Sequence, residues 1–375
     1  MMKAVLLLYN HCTDDDRYRY HLHKALTKHN VETSLVSAMQ PANDENDHQS
    51  NTFTFDKSTC NRLSAILKMM SMLKKINPDT IICDSPQSVL AAFLYKRKHK
   101  NTTVIYDVTE WYPSKKNLTG KNNVANHIKS HVLKMVNELA GKLSDKFIFG
   151  EHFKSLNFQR LCNEKPFVFV SYYPDLQYFN KTNIIAESGM KHAWKLCYCG
   201  NITEEKGFYR VVEVVKGVAE ALPNIQIDFN VITGRFSADA VAINNLPHNV
   251  NLNFAPFKKF DDFCNYLYTN DFYFDLRDRD EENDKCLPIK LFYYMASGKP
   301  VVYSDLQAIR QGVEEYEQVG CFVDNDNLGK AVSFVVEAIK NPDLYAGICK
   351  RALHLSQTKY NWSTIEERFI LFIIK

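Results

Sequence analysis

Short apolar runs alternate along this chain with segments of helical period. In the first half, residues 3–9 (KAVLLLY), 31–37 (VETSLVS), 79–83 (DTIIC), 102–107 (TTVIYD), 146–149 (KFIF) and 167–171 (FVFVS) read as strands. Residues 60–77 set Leu63, Ile66, Leu67, Met70, Leu73 and Ile76 on one stripe. Residues 124–143 do the same with Val124, Ile128, Val132, Met135, Leu139 and Leu143. Both segments read as amphipathic helices whose stripe packs on a sheet. The second also carries Lys129, Lys134 and Lys142 with His127 and His131, so contact with a membrane surface is its other reading. The polar stretches 41–59 and 112–123, the latter with Lys115, Lys116 and Lys121, read as surface loops.

Residues 171–193 break the alternation with Pro174 and mixed polarity, and read as a connection. A second series follows: strand 194–199, helix 205–221, strands 225–232 and 250–254, helix 259–268, strand 271–276, helix 288–297, strands 300–303 and 320–323, and helix 326–340. Helical patterns at 342–357 and in the closing YNWSTIEERFILFIIK complete it. Strand–helix–strand repetition implies parallel sheets with helices on both faces. The predicted fold class is therefore α/β, with two doubly wound, Rossmann-like domains facing a cleft. The expected boundaries are 1–173 for the first domain, 174–193 for the linker, 194–357 for the second domain and 358–375 for a terminal helix. A length of 375 residues suits two cores better than one.

Composition narrows the class. Hydrophobic residues at 45% and aromatics at 13% supply enough apolar surface for packed cores and exclude disorder as the main state. No run of roughly 18 apolar residues occurs, as a spanning helix needs. The opening MMKAVLLLYNHCTDDD meets three Asp after a short apolar run, so it reads as a first strand rather than a signal peptide, and a cytoplasmic protein is expected. The ten cysteines are scattered without a CxxC pair, which points to reduced thiols. Cys197 and Cys199 lie in KLCYCG, a strand whose successive side chains alternate between faces, and are expected to be buried. His127 and His131 share a helix face but have no third ligand nearby, so no metal site is expected.

Charge is unevenly divided. Residues 1–173 hold 24 Lys and Arg against 16 Asp and Glu, and residues 174–375 hold 22 against 27. A basic first half suits an anionic partner such as a phospholipid surface or a phosphate-bearing acceptor. No dense basic run or recognition motif points to nucleic acid.

Neither GxGxxG nor GxxxxGK[ST] is present, so a subtler phosphate site must be sought. In YCGNITEEKG (198–207) an apolar strand ends at Gly200 and a helix opens near Gly207, with Lys206 at its start. Gly200 lets a ligand approach the backbone, and the helix N-terminus offers amide donors for a diphosphate. In LRDRDEENDKCLPIKLFYYMASGKPVVYSD (276–305) a strand runs into alternating charges led by Arg277. Pro288 then starts a helix with Lys290 in its first turn, and Gly298 ends it. Two cationic helix N-termini in one domain suit an extended anionic ligand.

These two passages resemble the C-terminal half of retaining glycosyltransferases of family 4, which have the GT-B fold. The first is similar to that family's strand–Gly–x–x–x–x–x–Lys-Gly element, and KLFYYMASGKPVV is similar to its KLFEYMASGKPVV-type segment. VIYDVTEWYP (104–113) resembles a first-domain motif of polysaccharide-building members. NWSTIEERF resembles the family's last helix, which crosses back onto the first domain. The resemblance implies a metal-independent transferase without a cofactor. It would move a sugar from a UDP- or GDP-linked donor to a saccharide or lipid-linked saccharide acceptor in cell-surface polysaccharide synthesis; the setting is the cytoplasm, with peripheral attachment at the inner face of the membrane left open. It implies donor contacts at Gly200, Asn201, Lys206, Gly207, Arg277, Pro288, Lys290, Leu291 and Tyr293, and acceptor contacts at Arg17, Thr109, Glu110 and Trp111, where Tyr112 is a second aromatic for stacking on sugar. Lys206 and Arg277 would stabilise the departing diphosphate, while Asp107 and Glu110 would meet the acceptor hydroxyl or transferred sugar. Members carry two Glu where this chain has Lys285 and Tyr293, an Arg where it has Asn201 and a His where it has Thr109. A non-catalytic GT-B protein that binds a nucleotide-sugar or partners another transferase is the alternative.

Overall fold

The computed structural model describes residues 1–40, 51–110, 112–114, 117–118, 123–179, 191, 193–234 and 245–375. The chain forms two compact units, Met1–Tyr172 with Ile365–Lys375, and Tyr173–Thr364. The first holds a parallel sheet of seven strands: β1 (Lys3–Leu8), β2 (Glu32–Ser37), β3 (Thr52–Thr54), β4 (Thr80–Cys83), β5 (Thr103–Val108), β6 (Lys146–Phe149) and β7 (Phe167–Phe169). Their spatial order is β3-β2-β1-β4-β5-β6-β7. The second holds six: β8 (Ala193–Cys199), β9 (Gln226–Ile232), β10 (Val250–Ala255), β11 (Phe272–Asp275), β12 (Val301–Ser304) and β13 (Gly320–Val323). Their order is β10-β9-β8-β11-β12-β13. The expected α/β class with two Rossmann-like sheets is what the structure shows.

The central strands are apolar on both faces because helices cover both. Ala4 to Leu8 are fully buried, as are Val301 to Ser304. In the first unit Val5, Leu7, Ile81, Val104 and Phe147 pack with Met69, Leu73 and Val89 from the helices. Leu196, Phe229, Phe274 and Val302 pack with Val211, Val215 and Val335 in the second. Each such side chain stabilises its unit by about 1.5–3 kcal/mol relative to exposure. The terminal helix Ser363–Ile374 contributes to the first unit from Ile365 on. There Lys28 binds Glu366 at 2.8 Å, and Arg368 donates to the Phe169 carbonyl at 2.7 Å.

Four readings of the pattern change. Residues 52–54, expected within a loop, pair with β2 as the edge strand β3. Residues 41–50, Lys115, Lys116, Lys121 and most of the expected linker lie outside the described residues. The helix Pro86–Lys96 escaped notice because, as PQSVLAAFLYK, it is apolar nearly all round and has no polar face to set a period. Ser85 caps it, bonding reciprocally with Ser88. In the helix Arg62–Ile76 the buried face is Ala65, Ile66, Met69 and Leu73, which leaves Leu63 and Leu67 outside.

The fourth change is the largest. In the helix Asn123–Leu143 the apolar stripe does not pack on the sheet. Val124, Ile128, Val132, Met135 and Leu139 are exposed, while Asn137, Ala140 and Gly141 are buried. Small and polar residues are needed on the inner side. A Cβ on Gly141 would come within 2.8 Å of the Phe158 ring, and Asn137 accepts the Tyr106 hydroxyl at 2.9 Å.

Candidate functional site

Strand order reverses in the second sheet between β8 and β11, and ligands of open α/β sheets bind beyond the strand ends at such a reversal. β8 ends at Cys199, and the turn through Gly200 and Asn201 leads to the helix Phe208–Ala221. Gly207 takes φ +75°, and a Cβ there would lie 1.8 Å from the Leu276 carbonyl oxygen. Only glycine lets this turn close onto the end of β11. The helix therefore begins beside that end with no side-chain cap, and its first amides bring partial positive charge there.

β11 ends in Asp275, whose carboxylate organises the surrounding cations. Arg277 Nε donates to one carboxylate oxygen at 2.8 Å, and Arg277 Nη2 donates to the other at 2.5 Å. Lys290, in the first turn of the helix Ile289–Ala296, lies 2.9 Å from Asp275 Oδ2 and donates to the Cys199 carbonyl at 2.5 Å. It thereby ties together the ends of β8 and β11. Tyr303 adds its hydroxyl from β12 at 3.2 Å. Burial opposes the charge on Asp275, yet Arg277 and Lys290 outweigh it and hold the carboxyl well below the usual carboxylate range. Two cations on one anion leave a positive surplus at the crevice.

The remaining donor-side residues divide. Lys206 stands apart from that cluster, its Nζ 2.9 Å from Glu205 Oε1 and its side chain 39% exposed. Asn201 is exposed, and its carbonyl accepts the Tyr198 hydroxyl at 2.7 Å. Pro288 precedes the helix as its N-cap. Leu291 and Tyr293 are buried, the Tyr293 ring packing on Phe179, Phe260 and Phe263, and Lys285 is bound to Glu281 at 3.0 Å. Cys197 and Cys199 are free and buried. A strand's period of two puts them on one face, with their Sγ atoms 3.6 Å apart, and Tyr198 on the other.

The first sheet reverses between β1 and β4. Of the residues expected to face an acceptor there, two are turned inward. Asp107 lies within β5 rather than beyond it and is fully buried. Arg17 donates to its two oxygens at 2.7 and 2.8 Å, and to the Val170 carbonyl at 3.0 Å. The Arg17 guanidinium also lies over the Tyr172 ring. The pair is turned on itself inside the unit, where the expectation had these groups at the strand end facing substrate. Thr109 and Glu110 do lie past β5 and are half-buried. Lys154 donates to the Thr109 carbonyl at 2.6 Å. Trp111 lies outside the described residues, and Tyr112 accepts from Asn10 Nδ2 at 3.5 Å.

Sequence reading missed the residues that organise this end. Asp84, at the end of β4, accepts the backbone amides of Tyr9, Asn10 and His11 at 2.8, 2.8 and 3.1 Å, and binds His11 Nδ1 at 2.9 Å. Burial disfavours the imidazolium. The Asp84 hydrogen bond and charge, with Asp15 and Glu110 nearby, overcome that and raise the His11 pKa to about 9. Burial, with Asp16 adjoining, pushes Asp15 up to about 7. The available signal was positional: both β1 and β4 pass from apolar runs directly into polar residues, Asn10-His11 and Asp84-Ser85. Among the described residues no group of three or more His, Cys, Asp or Glu is arranged to hold a metal ion.

No protein-family model matches the chain, and no curated protein matches it by sequence. Solved structures do resemble it. Sucrose-phosphate synthase from Thermosynechococcus elongatus superposes with a TM-score of 0.74 at 13% identity, covering 99% of this chain and 98% of that one. HepE from Anabaena, in complex with UDP-glucose, gives 0.70 at 12% identity and 99% of each chain. An alpha-glucosyltransferase in complex with UDP and a 13-mer DNA gives 0.64 at 12% identity and 100% of each. What this chain shares with these proteins is their fold, GT-B, with its two parallel α/β units.

Proposed function

We propose that this protein is a glycosyltransferase that moves a sugar from a UDP- or GDP-linked donor to a saccharide or lipid-linked saccharide. The observation that carries this reading is the meeting, at the β8–β11 reversal, of two helix N-termini with Lys290 and Arg277, both held by Asp275. Preorganised donors of this kind stabilise charge as it develops on a departing diphosphate. Lys206, exposed beside that end, adds a further cation, and Gly207 keeps the backbone close enough for the helix amides to take part. UDP and UDP-glucose in proteins of the same fold support the reading. Transfer with retention, without a metal, follows from the resemblance of the two second-unit segments to family 4. The first unit binds the acceptor through Glu110 and Thr109. Cell-surface polysaccharide synthesis, in the cytoplasm or at the inner face of the membrane, is the corresponding setting.

Lys206→Ala tests the donor site. One such donor contributes about 3–4 kcal/mol to the transition state, so turnover should fall by a factor of roughly 100–1000. The fold should be unchanged, since among the described residues Lys206 pairs with the adjacent, exposed Glu205. An unchanged transfer rate would remove Lys206 from the diphosphate site. UDP at about a hundred times its dissociation constant should stabilise the protein by roughly 2.7 kcal/mol.

One observation favours a second reading, a nucleotide-sugar-binding protein without transferase activity. The two positions where family 4 has Glu hold Lys285, bound to Glu281, and the buried Tyr293. Stabilisation by UDP with no transfer or hydrolysis of a radiolabelled donor would select it.

A further inference from the structure

The helix Asn123–Leu143 turns its apolar side away from the unit it belongs to. Val124, Ile128, Val132, Met135, Val136 and Leu139 recur at three- and four-residue spacing along one face and are each 39–69% exposed. The opposite face does the packing, through Asn137, Ala140 and Gly141. Contiguous apolar surface of this kind marks an interaction site rather than ordinary exposure. Charge identifies the partner. By helical spacing Lys129 borders one side of the stripe, and Lys142, His131, His127 and Lys134 follow the other, all exposed. The helix's single acid, Glu138, is bound by Lys142 at 2.8 Å. An apolar stripe with basic margins complements an anionic bilayer, with acyl chains below and phosphates beside the lysines. No described helix is long and apolar enough to cross a membrane, and this one has the character of a helix that lies along the interface.

We infer that the helix Asn123–Leu143 docks the first unit on an anionic lipid surface. The purpose of that docking, presenting a lipid-linked acceptor, rests on the function proposed above. The surface assignment itself rests on the helix.

The test is co-sedimentation of the full chain with vesicles of phosphatidylglycerol and phosphatidylcholine, and with phosphatidylcholine alone. Binding to the anionic vesicles is expected. It should weaken when salt rises from 0.1 to 1 M, which shortens the screening length from about 10 Å to about 3 Å. The double variant Ile128→Glu, Met135→Glu alters only exposed side chains, so it should keep the wild-type thermal midpoint while losing vesicle affinity by about tenfold or more. Equal sedimentation by the variant, or none by the wild type, overturns the inference. So does salt-independent binding, which would remove the charge complementarity that selects a lipid partner. A wild-type dimer that the same substitutions dissociate would assign the stripe to a second copy of the chain. Stabilisation by UDP or GDP, read on the same samples, separates the two proposals: vesicle binding with stabilisation by neither would sink the donor site and leave the docking surface standing.

Discussion

At the reversal in the second sheet two cations, Arg277 and Lys290, share one carboxylate, Asp275. At the reversal in the first, one imidazolium, His11, lies among Asp84, Asp15 and Glu110. The strands that meet there are topologically equivalent, and the chemistry is opposite. Positive surplus and helix amides suit a diphosphate. An imidazolium among carboxylates suits a ligand rich in hydroxyls, whose oxygens can both donate and accept. Net charge runs the other way, since the half with the basic surplus carries the acidic crevice. Local pairing near the strand ends, and not the sum over a domain, sets what each end can hold, and part of the first half's basic surplus lies on another surface, the helix Asn123–Leu143.

The strongest way to break the comparison is to remove the carboxylates that Arg277 and Arg17 need. Asp275→Asn leaves Arg277 and Lys290 without their anion, and Asp107→Asn does the same to Arg17. Stripping one partner from a buried pair costs about 3–5 kcal/mol, so both variants should show that loss in urea unfolding. They should part in their response to UDP. Asp275→Asn disorders the donor crevice and should abolish stabilisation by the nucleotide. Asp107→Asn should retain it, because the Arg17–Asp107 pair lies in the other unit. Equal loss of the nucleotide response in both would mean that Asp275 acts only on general stability.

The two ends also differ in how legible they were. Lys206-Gly207 and Pro288–Lys290 could be found because a diphosphate crevice needs a glycine, a helix start and a lysine in fixed order along a short segment. Asp275 lay one residue outside the stretch read for charge and looked like strand. The first crevice is assembled from the ends of β1 and β4, 73 residues apart at His11 and Asp84, and no local spacing joins them. Arg17 and Asp107 were read as site residues because polar side chains near strand ends look exposed in a sequence, and only the fold shows that they face each other. The sheets themselves were legible nearly strand by strand, since continuous apolar runs report burial on both faces. The stripe of the helix Asn123–Leu143 was also legible as a stripe, but periodicity cannot say which way it faces.

The smaller effect concerns His11. Its folded pKa of about 9 lies above the ordinary 6.5, so the folded state holds a proton that the unfolded chain releases. That contribution to stability is complete below pH 6.5 and is lost as pH rises toward 9. Asp15 acts in the same direction at lower pH: with its carboxyl pushed from 3.8 up to about 7, stability falls as pH rises through that range. Asp15 is half titrated at pH 7, and the buried thiols of Cys83, Cys197 and Cys349, which burial pushes up, add their own slope toward pH 9, so the imidazole is read as the difference between the wild type and a variant that lacks it. Between pH 7 and 9 the imidazole should account for roughly 1–2 kcal/mol of the wild type's loss, a figure reduced for the one-fifth of the side chain that water reaches. His11→Gln keeps a hydrogen-bond donor for Asp84 but carries no proton to lose, so its urea midpoint should fall less over the same range, by the part the imidazole contributes. If the variant shows the wild-type slope, the proton belongs to another group, and His11 is not the cation to set against Arg277 and Lys290.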